Sequence, residues 1–150
     1  MKQNPLWGLT VVRLEMVKEE VEYYGKKKVN APGDVAEVAR KFIGKADREM
    51  FITISLSTNN GINSVHIVSI GALDRTTIHP RECFKVALLS NASRVIFAHN
   101  HPSGNLEPSP EDKNLTNILK QCGDLLNVKV LDHVIIGDSG YFSFQENHML

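Results

Sequence analysis

The sequence predicts an α/β chain of the α+β kind: a mixed β-sheet flanked by helices. Three observations carry this. Strand-like and helix-like patterns alternate along the chain, which favours a sheet covered by helices. Asn-Asn-Gly at residues 59–61 joins two β-rich runs, the signal of a hairpin. RVIFA, residues 94–98, is a short apolar run that reads as a central strand buried on both faces.

The elements follow in order. In VVRLEMV, residues 11–17, Val12, Leu14 and Met16 fall on one side of a strand. A polar turn, YGKKKVNAPGD, comes next. Asp34 is placed to cap a helix through VAEVARKFI, with Val35, Val38, Ala39 and Phe42 on one face and Gly44 as its stop. MFITISL, residues 50–56, is rich in β-formers, and STNNG leads from it into INSVHIVSIG. PRECFKVALLS, residues 80–90, starts a helix at Pro80 and spaces its apolar positions 84, 87 and 88 helically. After the buried strand comes a loop rich in proline and glycine, HPSGNLEPSP. A helix over residues 110–122 then aligns Leu115, Ile118, Leu119 and Cys122. KVLDHVIIG and YFSF, separated by Asp-Ser-Gly, read as a last hairpin.

Composition bounds the function. A chain of 150 residues favours one domain around one core. Lys plus Arg and Asp plus Glu are equal at 17 each, so the net charge gives no global footprint for nucleic acid or an anionic membrane. The only basic run, Lys26-Lys27-Lys28, reads as a solvated loop. No stretch approaches the roughly 20 apolar residues of a membrane span, and the N-terminus does not read as a signal peptide. Cys83 and Cys122 are too far apart for a disulfide framework or a zinc knuckle and read as buried small hydrophobes. Together these features set the expectation of a cytoplasmic protein.

The chemistry concentrates in HNHPSGNLEPSPED, residues 99–112, directly after the buried strand. Side chains two apart on an extended chain point the same way. His99 and His101 therefore aim both imidazoles at one face, at the mouth of the sheet. Two convergent neutral imidazoles suit a borderline-soft ion such as Zn²⁺, and a carboxylate as third ligand leaves a fourth position open. Asp112 lies across a loop that can fold back. Capping explains part of the same stretch: Ser109 as N-cap, Pro110 at N1 and Asp112 at N3 make a plain helix start. Capping does not explain the two histidines, while His-x-His alone is a weak metal signal.

Together the residues form the pattern His-x-His, seven residues, Ser, two residues, Asp, met as His99, His101, Ser109 and Asp112. This resembles the JAMM motif of the JAB/MPN metallopeptidases. IGALDRTTIHPRECFKVALLSNASRVIFAHNHPSGNLEPSPED and LDHVIIGDSGYFSF resemble, more specifically, the JAB domain of RadC-like proteins. The resemblance implies a JAB/MPN, cytidine-deaminase-like fold over residues 31–150, after an extension over residues 1–30 that reads as strand plus turn. It implies a zinc ion held by His99, His101 and Asp112. It also assigns Glu49, before the strand at residue 50, as the base that takes a proton from water. Ser109 is then the donor to the oxyanion.

His66, His79 and His148 get no role. His133 opens an apolar strand, and a structural part is favoured over bracing the site. The functional expectation is a zinc-dependent amide hydrolase acting on a peptide or protein. The alternative implied by the resemblance is a DNA-repair-associated factor acting through DNA or a DNA-bound partner. RadC-like proteins usually carry a helix-hairpin-helix region before this domain. The thirty residues before the match do not read as one, which weighs against direct DNA binding. A nucleobase deaminase needs His-x-Glu and Pro-Cys-x-x-Cys, and neither is present. A serine hydrolase built on Ser103 lacks its turn. A metal-free scaffold is disfavoured because every ligand position is filled. Homo-oligomer formation through the strand at residues 11–17 stays open.

Overall fold

The computed structural model describes residues 8, 10–17, 19, 27–71 and 78–150. Its elements run α1 (Pro32–Ile43), β1 (Met50–Leu56), β2 (Ile62–Ile70), α2 (Pro80–Leu89), β3 (Arg94–Asn100), α3 (Pro110–Leu126), β4 (Lys129–Ile136) and β5 (Tyr141–Ser143). The strands form one sheet in the order β2-β1-β3-β4-β5. Its pairings are antiparallel except β3 with β4, which α3 connects. This is the mixed α+β sheet that the sequence predicts.

Strands β1 and β3 are central, and their alternate side chains feed two cores. One face sends Ile52, Ile54, Leu56, Ile96 and Ala98 against Val35, Val38 and Ala39 of α1. The other sends Phe51, Val95 and Phe97 against Phe84 and Ala87 of α2 and Leu119 of α3. His99 follows Phe97 on this second face.

Strand β4 crosses between the cores. A register shift pairs Val95 with Val130 but Ile96 with Asp132, so Leu131 is the extra residue of a β-bulge. Val130 belongs to the α2/α3 core, whereas Leu131, Val134 and Ile136 belong to the α1 core. The bulge inverts the phase of the strand. His133, opposite Phe97 in the register, is thereby put on the His99 face.

Several expectations are corrected. Residues 10–17 form no strand, and Val11, Val12, Leu14 and Val17 are exposed. Apolar alternation makes a strand only when an edge accepts its hydrogen bonds. The start of the β2 edge is bridged by Lys28, opposite Gly61. The Tyr24–Lys26 part of the turn lies outside the described residues. Helix α1 starts at Pro32, two residues before Asp34. Pro32 fits the first turn, and Asp34 caps from inside it, its Oδ2 accepting the N–H groups of Asn30 (2.9 Å) and Ala31 (3.2 Å). Leu88 and Ile118 sit on the open sides of their helices, at 50 % and 38 % exposure, because Phe84, Ala87 and Leu119 fill the contact with the sheet. Helix α3 continues four residues further than expected, to a left-handed cap at Asn127. Strand β3 also continues, through His99 and Asn100, because its ladder is extended by Phe51 on one side and by Ile135 and Ile136 on the other.

Candidate metal centre

Each donor comes from a different kind of support. His99 is in the ladder of β3, 1 % exposed, and its ring stacks on Phe51. His101 lies just past the strand end. Asp112 is the third residue of α3, where Ser109 and Asp112 form a reciprocal capping box. Ser109 Oγ accepts the Asp112 N–H (3.0 Å), and Asp112 Oδ2 accepts the Ser109 N–H (2.8 Å). The helix start therefore aims the carboxylate. Capping and metal ligation, which compete as readings of the sequence, coexist in one side chain.

The three donors meet. His99 Nε2 is 3.1 Å from His101 Nε2 and 3.2 Å from Asp112 Oδ1; His101 Nε2 is 3.2 Å from Asp112 Oδ2. Among the described residues this is the one group of three or more such side chains placed to hold a metal ion. Ligands about 2.0–2.1 Å from a tetrahedral ion lie roughly 3.3 Å apart, so these separations fit a shared ion. The donor chemistry fits as well. His101 Nδ1 faces the Asn105 carbonyl at 2.7 Å, and a carbonyl only accepts. The ring hydrogen of neutral His101 is thus on Nδ1, and its Nε2 lone pair faces the site.

The electrostatics follow from this crowding. Burial acts to raise the Asp112 carboxyl, but the His101 and His99 rings beside it outweigh it and hold the group well below the usual carboxylate range. The hydrogen bond with Asp112 raises the His101 pKa, and the charge of Glu49 adds to it. Burial lowers His133 well below the ordinary imidazole value.

Glu49 precedes β1 and is half-buried. Its neighbours are fixed by a residue the sequence reading passed over. Asn100, between the two histidines, accepts the Met50 N–H at Oδ1 (2.7 Å) and donates from Nδ2 to the Arg48 carbonyl (3.1 Å). One buried amide thus clamps the backbone on both sides of Glu49. The Gly71 N–H adds a bond to the Glu49 carbonyl. Thr116, one turn after Asp112 on α3, was also missed; its 2.6 Å contact with His133 Nδ1 is visible only in three dimensions.

The other singled-out residues stay apart from the site. His66, His79 and His148 are exposed. Cys83 is buried against Phe84 and Phe97, where burial pushes its thiol up to about 12. Cys122 is half-buried at the margin of the same core.

Comparison with known proteins agrees with this layout. The RadC-like JAB domain matches residues 29–149. The chain is 44 % identical over 125 residues to a UPF0758 protein of Clostridioides difficile, covering 83 % of this chain and 53 % of that protein. It is 42 % identical over 126 residues to a UPF0758 protein of Rubrobacter xylanophilus, covering 84 % and 55 %. A UPF0758 protein of Desulfitobacterium hafniense is 43 % identical over 122 residues, covering 81 % and 54 %. The chain spans about half the length of the curated relatives it matches. With a match running from Val29 into the C-terminal turn, and with His99, His101 and Asp112 meeting at the end of its central strand, the chain belongs to the RadC-like JAB domain family.

Proposed function

We propose that this domain is a zinc-dependent hydrolase of the JAMM type that cleaves a peptide, isopeptide or other amide bond. The observation that carries the reading is the convergence of two imidazole nitrogens and a carboxylate at 3.1–3.2 Å. Three protein ligands leave a fourth position for water or substrate, the arrangement of a catalytic rather than a structural zinc. A zinc ion held there supplies a Lewis acid that acidifies water and polarises a carbonyl.

The chain's own groups supply the proton transfers. Glu49, close enough for its charge to act on His101, takes the proton from the attacking water and hands it to the leaving amine. Its clamp by Asn100 holds the segment in place during both transfers. Ser109 Oγ already accepts the Asp112 N–H, and its own hydrogen donates to the oxyanion of the tetrahedral intermediate.

The test uses protein purified without added zinc. We expect metal in stoichiometric amount, cleavage of a quenched-fluorescence peptide library, inhibition by chelation and recovery with zinc. Glu49→Gln should keep the metal and lose at least about 10²-fold in cleavage. Full activity of that variant removes Glu49 from the reaction, and equal metal content in His99→Ala removes the ligand assignment.

A further inference from the structure

His133 is fully buried on β4, yet both its ring nitrogens are engaged. Nε2 is 2.8 Å from His99 Nδ1, and Nδ1 is 2.6 Å from Thr116 Oγ1. The same Thr116 hydroxyl is 2.6 Å from the Asp112 backbone carbonyl, one helical turn back. These contacts form a chain whose hydrogens can point only one way.

The direction starts at the carbonyl, which only accepts. The Thr116 hydroxyl hydrogen must lie on the Asp112 side, so Thr116 Oγ1 is an acceptor towards His133. The hydrogen of His133 is then on Nδ1. The ring packs against Phe144 (5.0 Å, stacked) and edge-on to Phe51 (5.5 Å), and among the described residues no carboxylate is hydrogen-bonded to it. A second ring proton in this apolar surround carries the cost of a buried charge. His133 Nε2 is therefore bare and accepts from His99 Nδ1. The hydrogen of His99 is fixed on Nδ1, and its Nε2 lone pair is left facing His101 and Asp112.

We propose that Thr116 and His133 are positioning residues that fix the His99 tautomer, so that Nε2 faces the metal site as a lone pair. The chain closes on itself. It begins at the Asp112 carbonyl and ends at the site that the Asp112 carboxylate completes. One turn of α3 thus supplies both a ligand and the anchor that sets the other ligand's proton. The bulge at Leu131 is what brings His133 onto this face. The proposal rests on the metal-centre reading, not on the hydrolytic one.

The test reads metal affinity and ring tautomer, neither of which needs a substrate. Thr116→Val keeps the side-chain shape and removes the hydroxyl. Without its acceptor, His133 can carry its hydrogen on Nε2 and force the His99 hydrogen onto the ligating nitrogen. We expect Zn²⁺ affinity, measured by chelator competition, to fall about 10–100-fold, the usual loss when a supporting partner of a ligand is removed. Thr116→Ser, which restores the hydroxyl, should recover it. In ¹⁵N-labelled metal-free protein, His133 should carry its hydrogen on Nδ1 in the wild type and on Nε2 in Thr116→Val. Thermal unfolding of the metal-free variants identifies folded protein for these measurements. An Nε2–H tautomer of wild-type His133, or equal Zn²⁺ affinity in folded Thr116→Val and wild type, overturns the proposal. Wild-type protein that fails to bind Zn²⁺ overturns the metal-centre reading itself.

Discussion

His99 and His101 are two residues apart and differ in almost everything that holds them. His99 is in a strand ladder, its ring against Phe51 and its Nδ1 on His133, which is itself held by Thr116. His101 has left the strand, and its Nδ1 is held by the carbonyl of Asn105, four residues on in the loop. That loop is held in turn by Leu106, which packs on the backbone of Gly137 and Gly140. A Cβ on Gly137 would lie 2.7 Å from Leu106 Cδ2. The ligand on the strand side is positioned by the core, the one on the loop side by one turn and one leucine. Fixed ligands pre-organise a site, while a ligand on a loop can adjust when substrate arrives.

The comparison is sharpest when each ligand is removed. His99→Ala should abolish zinc binding and also destabilise the metal-free protein by about 2–4 kcal/mol, because it leaves a cavity and an unpaired His133 nitrogen in the core. His101→Ala should abolish zinc binding at a cost below about 1 kcal/mol in the metal-free protein, because its side chain reaches the surface. Metal analysis and denaturant unfolding check both. Equal destabilisation by the two variants would break the contrast.

A second test stays on the strand side. Asn100→Leu leaves the Met50 N–H and the Arg48 carbonyl without their partner. It should cost about 2 kcal/mol in urea unfolding and speed hydrogen exchange at the Met50 amide. Unchanged exchange at Met50 would show that the clamp does not hold the Glu49 segment.

The pair on the loop side predicts opposite pH responses. In the metal-free protein the Asp112 hydrogen bond raises the His101 pKa above the ordinary imidazole value of about 6.5. A group raised in the folded state stabilises fully below its unfolded pKa, and that stabilisation is lost as pH rises through the folded value. The thermal midpoint with chelator should therefore fall as pH rises above 6.5. With saturating zinc it should rise over the same interval, because ligands must be deprotonated to bind. Parallel trends would refute the shared proton and metal position.

The smallest expected effect is Gly137→Ala. Leu106 must swing away from the new methyl group, shifting Asn105 and with it His101. We expect a stability loss of about 1 kcal/mol and a zinc affinity lowered only a few-fold, since the displaced atoms are the end of a flexible side chain. A loss as large as that of Thr116→Val would place the rigid support on the loop side instead.

Much of this was legible in the chain, and for local reasons. MFITISL gave β1 with its bounds. Asn-Asn-Gly gave the hairpin. Ser109-Pro110-Glu111-Asp112 gave a helix start with N-cap, N1 and N3 in place. His99 and His101 followed from strand periodicity, although only His99 turned out to be in the strand. Glu49 was reached only through the resemblance, since a glutamate before a strand is ordinarily a solvated charge. VVRLEMV misled because its alternation is local, whereas a strand also needs a partner.

The sequence by itself determined the element order, the mixed sheet and the residues able to bind a metal, because periodicity, capping and turn chemistry act over a few neighbouring residues. Only the tertiary structure decided the support of the site. KVLDHVII, read by strict alternation, puts Val130 and His133 on opposite faces. The extra residue at Leu131 puts them on the same one and carries His133 under His99. Asn100 around Glu49 and Thr116 beneath His133 are likewise contacts across 50 and 17 residues of chain. No local pattern encodes them, because register and bulge position are set by the packing of the whole sheet between its two helical layers.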